Sequence, residues 1–539
     1  MQFSFKVYII LYFSIVFLGT KNKAIAQNSN FVFRPTSAIK DSINWHQFPE
    51  FSLPFKVVYG GPRLKDKLRL PLKYGFSHLS TFTDSDYNLP VQNRALLWYG
   101  VSRHNDAPWF SLKSPWGNDI ESYKTIWTNT FKEFAQMFQD GNGAALPKTD
   151  ILMLDVESEL ETDEAILALK KNILIPQKYQ TMNNADFLKS YKNDMQFLYR
   201  QPIALANSLG NSINLFSSYA DVPIRNVEFP TLFINENWQN NFNKIHYNFL
   251  DNNLLKAESV FDQQLSFKAP TSYFCAEYQI PELKYSNIAY SMFQVEVNLS
   301  VKKDDLMVFE WLKFNKCQPN SLIKSHEYIP NYLAEAQAIF PFFSGAKGIW
   351  LWDDPTPFSP SQNLSSYEYF VNGLYKLSEH KDFFTGNYSL IKNISAYEYF
   401  KNPQAIWRGV VKNNQILIAA INEFTEDNQT STLNISHGDW SKTITLKGKN
   451  VFLEKFDMPP ILANEKEILK DLDLKDFLSK NKKTTCTIFS TMGKKMGKNI
   501  FINSNFTTVN NYLQSFGKGQ YIVLFEGNKS FIKQKIAIN

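Results

Sequence analysis

Little in this chain of 539 residues is set aside for metals or for covalent cross-links. Its three cysteines, Cys275, Cys317 and Cys486, are an odd set that cannot make a disulfide framework, and Cys275 lies in an apolar run where a thiol reads as a small buried hydrophobe. Seven histidines are scattered without H-x-H or H-E-x-x-H spacing, so no catalytic metal and no cofactor are expected. Charge of one sign is scarce as well. The 57 basic and 51 acidic residues leave a net +6, too thin over this length to indicate a nucleic-acid partner. Beyond the N-terminus no apolar run is long enough for an integral membrane span, and no internal repeat is visible.

The N-terminus reads as an export signal. Lys6 supplies an early positive charge, residues 7–18 are apolar, and Ala24-Ile25-Ala26 fits an A-x-A cleavage site. This gives a signal peptide over 1–26, a mature chain beginning near Gln27 and a lead-in segment over 27–54. The mature protein is expected to be secreted or held at the cell surface.

Eight short apolar runs then follow within residues 55–384. The first, 55–59, is closed by Gly60-Gly61-Pro62, and the second covers 78–82. The third, 95–101, leads into Ser102-Arg103-His104-Asn105-Asp106. The fourth is Ile151-Leu152-Met153-Leu154-Asp155-Val156-Glu157, and the fifth, 213–219, ends at Asp221. The sixth is 273–277, the seventh 306–311, and the eighth, 348–352, runs into Asp353-Asp354-Pro355. Helical spacing over 123–138, 185–209 and 332–343 separates several of them. Strand and helix alternating this way imply parallel strands with right-handed crossovers, a (β/α)8 TIM barrel whose functional groups sit where the strands stop.

The period changes after residue 385. Runs at 405–411 and 415–422 flank the turn Lys412-Asn413-Asn414, and further runs at 430–435, 442–446 and 451–456 predict an antiparallel β-sandwich over 385–460. A charged linker over 461–483 precedes a small C-terminal β-domain over 484–539.

Carboxylates at strand ends are the chemistry-bearing groups, because burying charge for stability alone is costly. Asp155 and Glu157 share one face of the fourth run by i, i+2 alternation. Glu310 ends the seventh run, which an eight-stranded barrel places across the mouth from the fourth. Two carboxyls flanking one bond are what glycoside hydrolysis requires. Trp350 and Trp352 share a face of the eighth run, and with Trp311, Tyr219, Asp353, Glu277 and His104 they are candidates for contacting a sugar. Structural alternatives stand beside these readings: Asp155 as an acceptor for backbone donors, Glu310 as an internal ion-pair partner, the tryptophans as core.

The placement of Glu157 and Glu310 resembles the superfamily of retaining glycoside hydrolases built on (β/α)8 barrels. That resemblance implies Glu157 as acid/base, Glu310 as nucleophile and Asp155 as the residue that orients Glu157, although Val156 stands where that superfamily commonly has Asn. Leu154-Asp155-Val156-Glu157 is also similar to the D-x-E signature of muramidases and, more loosely, of chitinase-like hydrolases, which implies Glu157 as acid, Asp155 as helper and no role for Glu310. A non-catalytic carbohydrate-binding surface protein remains a third reading. At the C-terminus, Thr487-Ile488-Phe489, Met492-Gly493-Lys494, Gly519-Gln520-Tyr521-Ile522-Val523 and the stretch from Phe531 to Ile536 resemble the type IX secretion sorting domain of Bacteroidetes-type bacteria. That resemblance implies the type IX secretion machinery as a partner.

Overall fold

The computed structural model describes residues 31–35, 42–101, 107–155, 163–210, 213–219, 265–276, 284–301, 305–315, 327–353, 364–438 and 440–458, and, further on, 478, 483–490, 495–502, 509, 512–513, 519–526 and 531–538. The chain forms two compact units, Met1–Phe456 and Asp457–Asn539.

In the first unit, seven strands come from the apolar runs: β1 (Lys56–Gly60), β2 (His78–Leu79), β3 (Ala95–Trp98), β4 (Thr149–Leu154), β5 (Ile213–Ser218), β6 (Met307–Trp311) and β7 (Gly348–Trp352). They make two parallel sheets, ordered β2-β1-β7-β6 and β3-β4-β5. Bridges join the sheets on both sides. Leu79 pairs with Arg94 at one junction. At the other, Ser266 N–H donates to Phe216 O at 2.7 Å, and Lys268, Thr271 and Cys275 bridge in parallel to Leu306, Phe309 and Asn315. The sixth apolar run is therefore corrected: an irregular extended segment fills that place, and it begins earlier, near 266. Glu277, at its expected end, lies outside the described residues.

Each strand is sandwiched between two apolar layers, so successive side chains alternate between them. Val58, Leu97, Ile151, Met153, Met307, Phe309, Trp311 and Trp350 form an inner cluster. Val57, Leu152, Leu154, Val308, Leu312, Ile349 and Leu351 face the larger core shared with the helices. The longer helices are α1 (Ile120–Gln136), α2 (Asn184–Leu209), α3 (Asn287–Val301), α4 (Asn331–Ser344) and α5 (Ser365–Ser378). Asp119 and Asn183 cap α1 and α2 through their side chains. Close contact between α4 and α5 requires Gly373, where a Cβ would stand 2.7 Å from Glu335 O and 2.8 Å from Ala338 Cβ.

At the N-terminal ends of the strands, Asp150 accepts from Lys56 Nζ at 2.6 Å, from His78 Nε2 at 2.8 Å and from Asn214 Nδ2 at 3.0 Å. One carboxylate thus ties β1, β2, β4 and β5 across both sheets. Burial works to raise its pKa, but the three donors outweigh that and hold it below the ordinary value.

Cys275 is disulfide-bonded and Cys486 is free, which corrects the reading of Cys275 as a plain hydrophobe. Cys317 lies outside the described residues.

Antiparallel strands follow: β8 (Ser389–Ile391), β9 (Ile406–Lys412), β10 (Gln415–Ile421), β11 (Thr430–His437), β12 (Trp440–Lys447) and β13 (Phe452–Asp457). They form a four-stranded sheet, β13-β10-β9-β8, and a separate β11-β12 pair. The β9-β10 turn is tight because Asn413 adopts φ 54°, a conformation that Asn tolerates. Just beyond β10, Glu423 reaches the start of α3. It accepts from Ser286 Oγ, from Asn287 N–H at 3.1 Å and from Ile288 N–H at 3.2 Å.

The second unit contains β14 (Lys483–Ser490), β15 (Lys495–Ile502), β16 (Gly519–Glu526) and β17 (Phe531–Ile538), in the antiparallel order β15-β14-β16-β17. Cys486, Ile488, Val509, Leu513, Val523 and Phe525 make its core.

Burial pushes the Glu423 carboxyl up to about 7 despite its three donors. A folded-state pKa raised above the unfolded one contributes stability that is full below the ordinary glutamate range and is lost as pH rises through about 7. The melting temperature should therefore fall from about pH 5 to about pH 8, and Glu423→Gln should flatten that slope. Equal slopes in the two proteins, by calorimetry across this range, would remove Glu423 as the cause.

Candidate active site

The C-terminal ends of the parallel strands gather polar and aromatic groups. On β4, Ile151 and Met153 belong to the inner cluster, and the strand ladder continues one residue further through Asp155 N–H donating to Trp98 O at 3.2 Å. Alternation therefore turns Asp155 inward, above Met153. It is 8% exposed. Glu157 lies outside the described residues, as does His104.

Beside it stands an aromatic wall. Tyr219 follows β5, Tyr273 lies in the extended segment, Trp311 ends β6 and Trp352 ends β7. Ring centroids are 6.4 Å apart for Tyr219 and Tyr273, 5.9 Å for Tyr273 and Trp352 in a stacked pair, and 5.0 Å for Trp311 and Trp352. Tyr219 and Trp352 are half-buried, so their rings keep an open face; Tyr273 and Trp311 are buried and back them. Trp311 is thus a support and not a contact surface.

Asp353 follows β7 and is buried. It accepts from Trp311 Nε1 at 3.1 Å, from Lys313 Nζ at 2.8 Å and from Tyr367 Oη at 2.6 Å. The Lys313 ammonium also lies 5.3 Å over the Tyr328 ring. Burial first, then the Asp353 carboxylate, push the Tyr367 pKa well up, so its hydroxyl remains a donor. Tyr367 demands glycine at position 61, where a Cβ would meet its ring at 2.6 Å. Asp353 orients the wall through Trp311, and its charge is matched by Lys313.

Two expectations are overturned. Glu310 is fully buried and points to the helix layer: its neighbours on β6, Phe309 and Trp311, turn inward, so alternation sends Glu310 outward. It accepts from Gln337 Nε2 of α4 at 2.7 Å and from Ser291 Oγ of α3 at 3.3 Å. Burial raises its pKa well above the ordinary glutamate value, against the pull of its hydrogen-bond donors. It cannot reach a bond at the strand ends, and the pairing of Glu157 with Glu310 as nucleophile falls. Trp350 is likewise fully buried. It stacks on Phe309, its register partner on the neighbouring strand, at 5.1 Å and 11°, and fills the interior instead of meeting a sugar.

The structure also brings in residues the sequence reading passed over. Lys313 and Tyr273 were findable, since Lys313 is i+2 from Trp311 and Tyr273 is i+2 from Thr271, which pairs with Phe309. Tyr367 comes from a helix and carries no strand signal.

No family model matches this chain, and no curated protein matches it. Solved structures similar to it include glycoside hydrolases. Bee venom hyaluronidase is 11% identical with a TM-score of 0.34, over 61% of this chain and 99% of that one. A family 30 subfamily 8 xylanase from Clostridium acetobutylicum is 13% identical with a TM-score of 0.28, over 73% and 82%. A GH27 β-L-arabinopyranosidase from Geobacillus stearothermophilus is 7% identical with a TM-score of 0.25, over 77% of this chain and 62% of that one. Likeness of this degree is distant, and no site residue is transferred from it.

Because Glu310 is an internal acceptor facing the helices, Glu310→Gln should keep the fold and whatever activity the wild type has. Glu310→Ala, which strands the Gln337 amide, should cost about 1–3 kcal/mol in denaturant unfolding. A Gln variant that folds normally but loses turnover would restore Glu310 to the chemistry.

Proposed function

We propose that the chain is a secreted glycoside hydrolase acting on a poly- or oligosaccharide, with Asp155 and Glu157, two residues apart in the sequence, as its working carboxyls. In this reading the two parallel sheets and the segment at 266–275 make one closed (β/α)8 barrel, a proposal supported by the bridges at both junctions. The observation that carries the functional reading is the inward position of Asp155 beside a half-open aromatic wall at the strand ends.

The chemistry follows from those groups. Flat faces of Trp352 and Tyr219 take the apolar face of a sugar ring. Glu157 gives its proton to the glycosidic oxygen as the bond breaks. Asp155 holds that acid in place and stabilises positive charge developing at the sugar, and water then adds to the sugar carbon and gives up a proton to the Glu157 carboxylate. This is the D-x-E reading of the muramidase- and chitinase-like resemblance, which dispenses with Glu310.

Export is part of the proposal. The N-terminal signal pattern supports it, and so does the disulfide at Cys275, because disulfides persist in oxidising compartments. The antiparallel second unit, whose strands hold Thr487-Ile488-Phe489, Gly519-Gln520-Tyr521 and the basic closing segment, supports a sorting role with the type IX secretion machinery.

A second reading, a carbohydrate-binding protein without turnover, is favoured by one observation: Asp353, a further carboxylate among the described residues at these strand ends, is bound to Lys313. Both readings meet one test. Hydrolysis of β-glucan, xylan, chitin and peptidoglycan should fall by about 10²–10⁴ in Asp155→Asn and Glu157→Gln with melting temperatures unchanged. Glycan binding without hydrolysis by the wild type would select the binding protein, and full rates in Glu157→Gln would end the proposed mechanism.

A further inference from the structure

A cavity of about 720 Å3 lies apart from the aromatic wall, between the starts of α4 and α5 and the turns around Asp427 and Lys449. In a strand-helix unit the helix begins where the strand ends, so this cavity opens on the same side as Asp155. It shares a partition with that site: Tyr328 lines the cavity, and behind it stand Lys313 and Asp353.

Its lining suits one class of ligand. Tyr328, Tyr332 and Tyr369 are half-buried, so each offers ring surface together with a hydroxyl. Asn331, whose amide oxygen accepts from Ser365 Oγ at 2.9 Å, adds an amide to the wall. Lys449 Nζ sits 5.3 Å over the Tyr332 ring. Charge is balanced: Glu335 is paired with Lys376, and Asp427 stands on the same lining as Lys449. A balanced lining gives a strong anion no advantage, and a purely apolar ligand would leave these polar groups unmatched. Rings for stacking and scattered donors and acceptors fit a neutral, hydroxyl-rich chain. The volume lies within the range of about 300–1,000 Å3 usual for small-ligand sites.

We infer that this cavity is a second, non-hydrolytic carbohydrate subsite, which holds distal units of the same glycan whose nearer units lie against Trp352. The inference rests on the glycan reading of the site above and extends it: the substrate is a neutral chain of several units, and short fragments bind through the aromatic wall alone.

The test uses the full-length mature protein. Lys449→Ala and Tyr369→Phe remove an ammonium and a hydroxyl from the cavity while keeping the backbone and the Tyr369 ring, which packs against Phe33. Binding of two-unit and six-unit fragments of β-glucan, xylan and chitin is measured by calorimetry in each variant, with hydrolysis followed separately. Each variant should weaken six-unit binding by about five- to tenfold, about the loss of one hydrogen bond, and leave two-unit binding alone. Six-unit binding equal to wild type in both variants would overturn the subsite while leaving the catalytic proposal standing. Loss of six-unit binding in variants of a protein that hydrolyses nothing would uphold the subsite and end the catalytic proposal. Failure of every fragment to bind the folded wild type would overturn the subsite as well.

Discussion

A strand buried on both faces has room for polarity only at its ends. That constraint organises the first unit. The inner cluster takes alternate residues of β1, β3, β4, β6 and β7, and the helices take the rest. Charge in the middle of such a strand must be neutralised or fully bonded. Glu310 shows how, with its pKa raised by burial and its oxygens met by α3 and α4. The open chemistry is left to the strand termini, where Asp155, Tyr219 and Trp352 stand.

The two ends of the strands divide the work. Asp150, with Lys56, His78 and Asn214, fastens four strands where they begin. Burial lowers the His78 pKa below the ordinary value, although the Asp150 carboxylate pulls the other way. Asp353 fastens the opposite end through Trp311, Lys313 and Tyr367, and so ties the aromatic wall to α5. A wall held from behind in this way presents its rings in fixed orientation, which lowers the entropic cost of binding a ring-shaped ligand.

Much of the layout was legible because it follows from periodicity. The runs at 95–101, 213–219, 306–311 and 348–352 contain β3, β5, β6 and β7, the run at 151–157 overlaps β4, and helical spacing at 185–209 and 332–343 matches α2 and α4 closely. What failed did so for definite physical reasons. The segment that takes the place of the sixth run, from 266, has Pro270 and few β-branched residues, and it stays extended without regular pairing. Glu310 and Trp350 were placed by their position near a strand end, whereas the face they occupy is fixed by parity one residue at a time. Parity was readable for Asp155, from two apolar neighbours at i−2 and i−4. The bonding of Asp353 to Tyr367, on a distant helix, has no local trace at all.

The carboxylate of Glu423 at the head of α3 also bears on how this protein could be rebuilt. The antiparallel strands contribute Val410, Leu417, Ala419 and Ile421 to the same apolar mass as the helices, and Glu423 supplies donors' partners that α3 does not carry itself. Those strands are therefore not a cassette to be trimmed away or exchanged between scaffolds. Any shortened version ending before residue 424 would have to give α3 a new first-turn acceptor and cover the bared helices with fresh side chains.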